Sequence, residues 1–246
     1  MKQGVLKKII DKIFTNKALA PIKKTAVGVA LFIIHSRRGV LNIYYTPEKS
    51  KLFDLVVAIK KEIPLLMATD EAYTLFTAVQ KINKIEGDLA EVGVYRGGSA
   101  KLICMAKDAN KKLHLFDTFS GLPSVSPIDQ PYLSQGQYSA PEEAVRNYLK
   151  NYPNVFFHVG VFPKDTGSSV SKTLFSLVNL DVDTYKNTLE CIEWFYPRLK
   201  IGGIMISHNY SNLPGVRKAF DDFFHNKPEP VLEMPGSQCL VVKVLN

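Results

Sequence analysis

From residue 89 onward, short and almost continuously apolar runs alternate with stretches whose apolar residues recur at helical spacing. The apolar runs occupy residues 89–94, 113–116, 155–159, 175–180 and 204–207, and the helical stretches occupy residues 98–107, 142–150, 184–199 and 215–224. Runs this uniformly apolar are typical of parallel strands buried on both faces. Two more apolar runs, at residues 231–234 and 239–245, flank a Pro-Gly-Ser turn and predict a hairpin. The alternation predicts a doubly wound α/β fold with seven strands and a C-terminal antiparallel hairpin.

The part of the chain before these runs has a different composition. A helix is predicted from Asp70, which can cap it, to Ile82, and Gly87 then breaks the pattern. Residues 1–60 hold 12 Lys or Arg and 3 Asp or Glu, a charge of +9, whereas residues 61–246 hold 19 and 20, a charge of −1. We therefore expect a basic helical extension at residues 1–69 and an α/β domain at residues 70–246, and the near-neutral domain argues against nucleic acid as a partner.

The basic extension carries an amphipathic helical pattern at residues 5–14 and an apolar stretch at residues 26–34. Nine apolar residues are too few to span a bilayer, which needs roughly 20. Two interpretations stay open: the segments pack on the core or on a second copy in a homodimer or higher homo-oligomer, or they lie on a membrane surface. The three cysteines are too scattered for a disulfide framework, so we expect a cytoplasmic protein, with membrane association as the alternative.

Three glycines, Gly93, Gly97 and Gly98, lie at the end of the first apolar run and just after it, and Glu91 stands two residues before the first of them. Glycines at this place let a turn pass close to a ligand and enter a helix N-terminus. The spacing differs from the G-x-G-x-x-G of dinucleotide-binding proteins, which disfavours a dehydrogenase. Since a carboxylate nearby suits a cationic sulfonium better than a pyrophosphate, the pattern favours S-adenosylmethionine over NAD. An ordinary strand-to-helix turn is the competing interpretation.

The second apolar run ends at Asp117, 26 residues after Glu91. An acid at this strand end binds ribose hydroxyls in doubly wound folds, although a turn or capping role is the alternative. A long segment without regular pattern follows, from Thr118 to about Ala140, and a loop of that length is commonly a lid or a binding loop. Gln130, Tyr132 and Tyr138 are its candidate acceptor contacts, with plain solvent exposure as the alternative.

Polar side chains follow the fourth and fifth apolar runs. Asp181 and Asp183 follow one, and His208 and Asn209 follow the other. Because the carboxyl ends of neighbouring parallel strands face one crevice, we expect Asp181, His208 and Asn209 to converge. They offer either ligands for a divalent cation or, in His208, a general base. Asp183 is interpreted as a candidate cap of the following helix.

Five blocks of the sequence together resemble the macrocin O-methyltransferase (TylF-type) family: EVGVYRGGSA, LFDTFSGLP, VGVFPKDT, NLDVDTYKNTLECIEWFYPRLKIGGIMISHNY and GVRKAFDDFF. The blocks occur in the family's order and the resemblance covers about residues 70–246. It implies a Rossmann-like methyltransferase domain that uses S-adenosylmethionine, with Mg²⁺ as a further candidate, to methylate a hydroxyl of a sugar or glycosylated metabolite. A catalytically impaired binding or scaffold protein with the same fold is the alternative.

The resemblance also assigns positions. The cofactor-binding residues it implies are Glu91, Gly93, Val94, Tyr95, Gly97, Ser99, Asp117, Thr118, Gly160, Phe162 and Asp181. It implies Asp181 and His208 as catalytic residues and Asp181, His208 and Asn209 as metal ligands. At the last two positions the family commonly has two acids or His-Asp, so a site of charge −3 becomes one of charge −1 when His208 is neutral. Imidazole is also a poor ligand for magnesium, which puts metal dependence in question.

Overall fold

The structure, a computed structural model, describes residues 47–245. The described chain begins with two helices, α1 (Pro47–Glu62) and α2 (Thr69–Ile82). The sequence predicted Asp70 as the cap of α2. This is wrong, because the helix begins at Thr69 and Ala68 occupies the capping position. Glu71 performs that function from inside the first turn, where its Oε2 accepts a 2.7 Å hydrogen bond from the N–H of Ala68.

Strands and helices then alternate to the end of the chain. In order they are β1 (Asp88–Val92), α3 (Gly98–Ala106), β2 (Leu113–Asp117), α4 (Glu142–Leu149), β3 (Val155–Val159), β4 (Phe175–Leu180), α5 (Tyr185–Phe195), β5 (Leu199–Ser207), α6 (Pro214–Phe224), β6 (Leu232–Glu233) and β7 (Cys239–Val242). Short 3₁₀ turns lie at Gly167–Val170 and Tyr196–Arg198. The predicted helix at residues 184–199 is shorter because Pro197 has no N–H to continue the ladder.

The seven strands form one sheet in the order β3-β2-β1-β4-β5-β7-β6. The first five are parallel, and β7 runs antiparallel to both β5 and β6. The predicted doubly wound sheet with a late antiparallel hairpin is therefore confirmed. The order reverses between β1 and β4, and ligands of such sheets bind beside the carboxyl ends of the strands at this reversal.

Both faces of the sheet are covered. Leu89 and Ala90 are neighbours on β1 and are both fully buried, yet they belong to separate apolar clusters on opposite faces. Helices α1 to α4 contribute to the cluster with Leu89, and α5 and α6 contribute to the cluster with Ala90. The chain from Leu52 onward forms one compact unit around these two clusters.

The predictions for the amphipathic pattern at residues 5–14 and the apolar stretch at residues 26–34 lie outside the described residues. The boundary between residues 69 and 70 stays a prediction as well. Within residues 47–245, no helix is both long and apolar enough to cross a bilayer. Cys104, Cys191 and Cys239 are all buried with free thiols, and the reducing compartment inferred from them stays a prediction.

Candidate functional site

A cavity opens at the carboxyl ends of β1, β2, β4 and β5, on the side where the strand order reverses. Most residues that the sequence singled out line it: Gly93, Val94, Tyr95, Ser99, Asp117, Thr118, Gly160, Phe162, Asp181, His208 and Asn209. Glu91 and Gly97 do not line it. The segment before α2, from Pro64 to Met67, contributes a wall that the sequence did not predict.

The loop after β1 is shaped by Gly93 and Asp117. Gly93 has φ +89°, and a Cβ there would lie 1.9 Å from the backbone oxygen of Asp181, so only glycine fits. Oδ2 of Asp117 accepts hydrogen bonds from the N–H groups of Val94 at 2.6 Å and Tyr95 at 2.8 Å. Oδ1 accepts a third, at 2.7 Å, from Phe119. Asp117 thus holds the loop in place from the tip of the neighbouring strand.

Glu91 differs from its expected role. Its side chain is fully buried beneath the loop, where Oε1 accepts a 2.9 Å hydrogen bond from Asn179. Burial raises the pKa of Glu91 to about 8, so the group is largely protonated at neutral pH. Burial of Glu91 beneath the loop disfavours a carboxylate charge beside a bound sulfonium, and its cofactor-binding role stays a prediction. Gly97, at φ +85°, serves through its backbone as the residue before α3.

The tips of β4 and β5 bring Asp181 and His208 together. Nδ1 of His208 lies 3.1 Å from Oδ1 of Asp181, and Nε2 lies 3.0 Å from Oε2 of Glu71 on α2. Burial lowers the pKa of His208, but the charges and hydrogen bonds of the two carboxylates outweigh burial and raise it to about 11. At neutral pH His208 is an imidazolium without a free lone pair. A ring protonated on both nitrogens cannot accept a proton, so this arrangement disfavours the general-base role, which stays a prediction.

Asp183 lines the same cavity through an unusual backbone turn. Its φ is +61°, and the N–H of Thr184 donates to the carbonyl of Val182 at 2.7 Å, the i to i+2 bond of a γ-turn. Strained turns of this kind cluster at functional sites. Nδ2 of Asn209 donates to Oδ1 of Asp183 at 2.8 Å. Burial, reinforced by the charge of Asp181, raises the pKa of Asp183 to about 7.

The predicted magnesium ligands do not form a suitable donor set. Each ring nitrogen of His208 faces a carboxylate, and the amide N–H₂ of Asn209 faces Asp183. Among residues 47–245, no three His, Cys, Asp or Glu side chains are grouped to hold a metal ion. Mg²⁺ needs several oxygen ligands, so the residues present do not fit it.

The long loop between β2 and α4 covers one side of the cavity. Leu122, Pro123, Gln137 and Tyr138 line it, and the backbones of Leu122 and Gln137 are hydrogen-bonded to each other at 2.9 Å. Tyr138 thus has the expected position. The predicted contacts Gln130 and Tyr132 are exposed and lie outside the cavity.

Buried Asp129 anchors this loop to the rest of the domain. Its two carboxylate oxygens lie 3.2 and 3.3 Å from the backbone N–H of Tyr185, the first residue of α5. Oδ2 also accepts a short hydrogen bond from the hydroxyl of Ser126. A negative charge at a helix N-terminus is favourable, and it ties the loop to the element that follows β4.

A model of the macrocin-O-methyltransferase (TylF) family matches residues 71–234. The chain belongs to this family. It is 28% identical over 157 residues to demethyldecarbamoylnovobiocin O-methyltransferase of Streptomyces niveus, a match that covers 57% of this chain and 59% of the relative. It is also 28% identical over 169 residues to the tetracenomycin-C rhamnosyl 4′-O-methyltransferase of Streptomyces olivaceus, which covers 62% of this chain and 64% of the relative. The chain spans about three-fifths of the length of the curated relatives it matches.

Solved structures show the same fold. The O-methyltransferase NovP superposes with a TM-score of 0.70 at 21% identity, covering 80% of this chain and all of NovP. The calicheamicin methyltransferase CalS11 superposes with a TM-score of 0.62 at 18% identity, covering 81% and 94% of the two chains. An O-methyltransferase from Bacillus cereus, solved in complex with SAH, superposes with a TM-score of 0.55 at 14% identity, covering 89% and 97%. The macrocin-O-methyltransferase assignment and the methyltransferase fold therefore agree.

Proposed function

We propose that the protein transfers the methyl group of S-adenosylmethionine to a hydroxyl of a sugar or a glycosylated metabolite. Asp183 carries the proposal: it is a buried carboxylate with a pKa of about 7 in the cavity beside the glycine loop. The family assignment and relatives that methylate the hydroxyls of glycosylated antibiotics support the same reaction.

The cavity has the features that S-adenosylmethionine requires. Gly93 leaves a cradle that a Cβ would fill, Asp117 borders it, and Phe162 is part of its lining and offers an apolar contact for a purine. When bound, S-adenosylmethionine supplies an electrophilic methyl carbon for in-line displacement. We assign the loop of Gly93 and Val94 and the residues Asp117, Thr118, Gly160 and Phe162 to its binding.

The acceptor side of the cavity is polar. Gln137, Tyr138, Asn187 and Asn209 line it next to Asp183 and offer donors and acceptors of the kind that hold sugar hydroxyls. Holding the acceptor oxygen in line with the methyl carbon is the main task of such a site, since orientation lowers the barrier strongly.

Asp183 is the proposed general base. Its Oδ1 is held by Asn209, which leaves Oδ2 to accept the proton of the acceptor hydroxyl as the oxygen forms its bond to the methyl carbon. A base with a pKa near the working pH is best placed for this transfer. Asp181 and His208 then act through charge and position rather than by exchanging a proton with the acceptor.

The test is transfer of isotopically labelled methyl from S-adenosylmethionine to a panel of glycosides and nucleotide sugars, followed by mass spectrometry. Calorimetry with S-adenosylhomocysteine runs beside it. Asp183→Asn is expected to lower turnover roughly 10²- to 10⁴-fold while binding S-adenosylhomocysteine within a few-fold of wild type. Absence of S-adenosylhomocysteine binding overturns the proposal. Binding without transfer to any acceptor supports the scaffold alternative.

Self-association and membrane contact are proposals of the same kind. Native mass spectrometry of the full chain is expected to show a homodimer or larger homo-oligomer. Flotation with anionic vesicles, at low and high salt, tests whether the basic N-terminal segment binds a membrane surface. A chain that is monomeric and does not float with the vesicles would contradict both expectations. The proposed cytoplasmic location would then rest on the composition of the chain alone.

A further inference from the structure

We propose that His208 is a built-in cation at the sheet edge, held there by Glu71 and Asp181, and that it replaces a divalent metal ion in this protein. The arrangement of Glu71, His208 and Asp181 does not depend on what the protein catalyses. The consequence of that arrangement for methyl transfer rests on the function proposed above.

The geometry of the ring requires the charge. Glu71 and Asp181 lie on opposite ring nitrogens, at 3.0 and 3.1 Å, and carboxylates only accept hydrogen bonds. A neutral imidazole has a single N–H and satisfies one of them, whereas an imidazolium satisfies both. His208 is only 8% exposed, so its ring nitrogens depend on these two carboxylates for hydrogen bonds.

Glu71 is itself held as a carboxylate by donors from three parts of the chain. Oε1 accepts hydrogen bonds from the N–H of Ser237 at 2.6 Å and from its hydroxyl at 2.5 Å. Oε2 accepts from the N–H of Ala68 at 2.7 Å in addition to His208. A Cβ at Gly236 would lie 2.8 Å from Cγ of Glu71, so the turn closes tightly over it. The carboxylate belongs to a built site and is no chance neighbour of the ring.

The positive charge at this place belongs to a side chain. In a metal centre built on three acids, a bound divalent ion lies between the carboxylates and is often the largest local charge of the site. Here the imidazolium of His208 lies between the carboxylates of Glu71 and Asp181, so a fixed side chain supplies the positive charge. Asn209, where an acid would complete a metal site, directs its amide to Asp183 instead.

The substitution changes what the site does for an acceptor. A metal ion polarises a hydroxyl by direct coordination, whereas both N–H groups of His208 are already engaged. His208 therefore positions Asp181 and leaves removal of the proton to Asp183. Turnover is expected to be the same after treatment with EDTA and after addition of Mg²⁺.

Direct measurements on the full-length wild type test the inference without reference to methyl transfer. Titration with Mn²⁺, followed by electron paramagnetic resonance, is expected to show no stoichiometric site in the micromolar range. Nitrogen-15 spectra of the histidine rings at pH 8 are expected to show both nitrogens of His208 protonated. A one-to-one Mn²⁺ site that Asp181→Asn abolishes, or a neutral His208 ring at pH 8, overturns it.

A gain of metal binding provides the complementary test. His208→Asp places a second acid beside Asp181 and removes the built-in cation, so this variant is expected to bind Mn²⁺ one-to-one. The same change at the exposed His225, His225→Asp, is the matched control and is expected to bind none. A folded His208→Asp protein without a Mn²⁺ site contradicts the inference. If that variant does not fold, the wild-type measurements decide, and S-adenosylhomocysteine binding separately reports whether the proposed function holds.

Discussion

Nε2 of His208 lies 3.0 Å from Oε2 of Glu71, although 137 positions separate the two residues in the chain. The contact joins the first turn of α2 to the tip of β5 at the floor of the cavity. Both groups are almost completely buried, and each helps to hold the other in its charged form. A substitution of Glu71 is therefore expected to change the charge of His208 in the cavity, even though Glu71 does not line the cavity.

The first prediction concerns stability. Glu71→Gln is expected to lower the free energy of unfolding at pH 6 by about 3 kcal/mol, because it removes one of the two negative charges that flank the buried cation. Urea denaturation followed by circular dichroism measures this. Glu142→Gln, which breaks the exposed pair with Arg146, is the control and is expected to cost less than about 0.5 kcal/mol. Equal losses in the two variants would contradict the prediction.

The stability difference between wild type and Glu71→Gln is expected to depend on pH in both directions. Burial opposes ionisation of Glu71, but hydrogen bonds from His208, Ser237 and Ala68 lower its pKa to about 2, so its contribution is lost as pH falls from 4.5 toward 2. The pKa of His208 is raised to about 11, so its contribution is complete below 6.5 and is lost as pH rises toward 11. The difference should be largest between pH 4.5 and 6.5, and a flat profile would contradict this.

Asn209 is predicted to set the acidic limb of the pH–rate profile. Its hydrogen bond to Asp183 lowers the pKa of a carboxyl that burial and Asp181 raise to about 7. Asn209→Ala removes that bond, so the pKa of Asp183 rises and turnover falls off at a higher pH. Turnover measured from pH 5 to pH 9 shows the shift. Asn212→Ala changes an exposed neighbour and should leave the limb where it is.

Gly93 and Gly136 provide a matched pair for the glycine loop. Both have positive φ, but a Cβ at Gly93 meets the backbone of Asp181 at 1.9 Å, whereas none would be met within 4 Å at Gly136. Gly136→Ala is expected to cost about 1 kcal/mol of stability through backbone strain alone. Gly93→Ala is expected to cost several times as much and to abolish S-adenosylhomocysteine binding, as thermal unfolding and calorimetry will show. Similar results for both variants would refute the close approach.

Asp129 is predicted to control the loop over the cavity. Asp129→Asn weakens the contact with the N-terminus of α5, so amide hydrogens of residues 119–140 are expected to exchange faster. The KM for the acceptor should rise several-fold, with S-adenosylhomocysteine affinity little changed. Tyr132→Ala, at an exposed residue of the same loop, should leave exchange and KM unaltered. Unchanged exchange in Asp129→Asn would mean that the loop is held elsewhere.

Local features of the site were predictable from the sequence because they depend on one strand and its neighbour. Gly93 and Asp117 sit at the ends of β1 and β2, which pair in parallel, and a uniformly apolar run is enough to place such an end. The bounds of β5 were harder to find because Gly202 and Gly203 interrupt its apolar pattern, and the strand begins at Leu199, earlier than expected.

The roles of the charged residues were not predictable in the same way. The sequence near His208 does not indicate a partner on α2. Without knowledge of Glu71, the position of His208 predicts a general base or a metal ligand. Asp183 looks like a helix cap because it precedes α5, and only its left-handed backbone directs it to the cavity. Charge state depends on contacts between distant segments, and those contacts leave no local pattern.

The anchoring of Glu71 by Ser237, 166 residues later, has a consequence for how the chain assembles. During synthesis Glu71 is made long before Ser237. The carboxylate of Glu71 can be buried in its native contacts only after the hairpin that contains Ser237 has formed. Closing so large a loop is entropically costly, so this corner is expected to be the last to settle. A chain truncated before the hairpin would form most of the sheet but would lack the contacts of Glu71 beneath the cavity. Such truncated products are expected to be inactive and readily proteolysed.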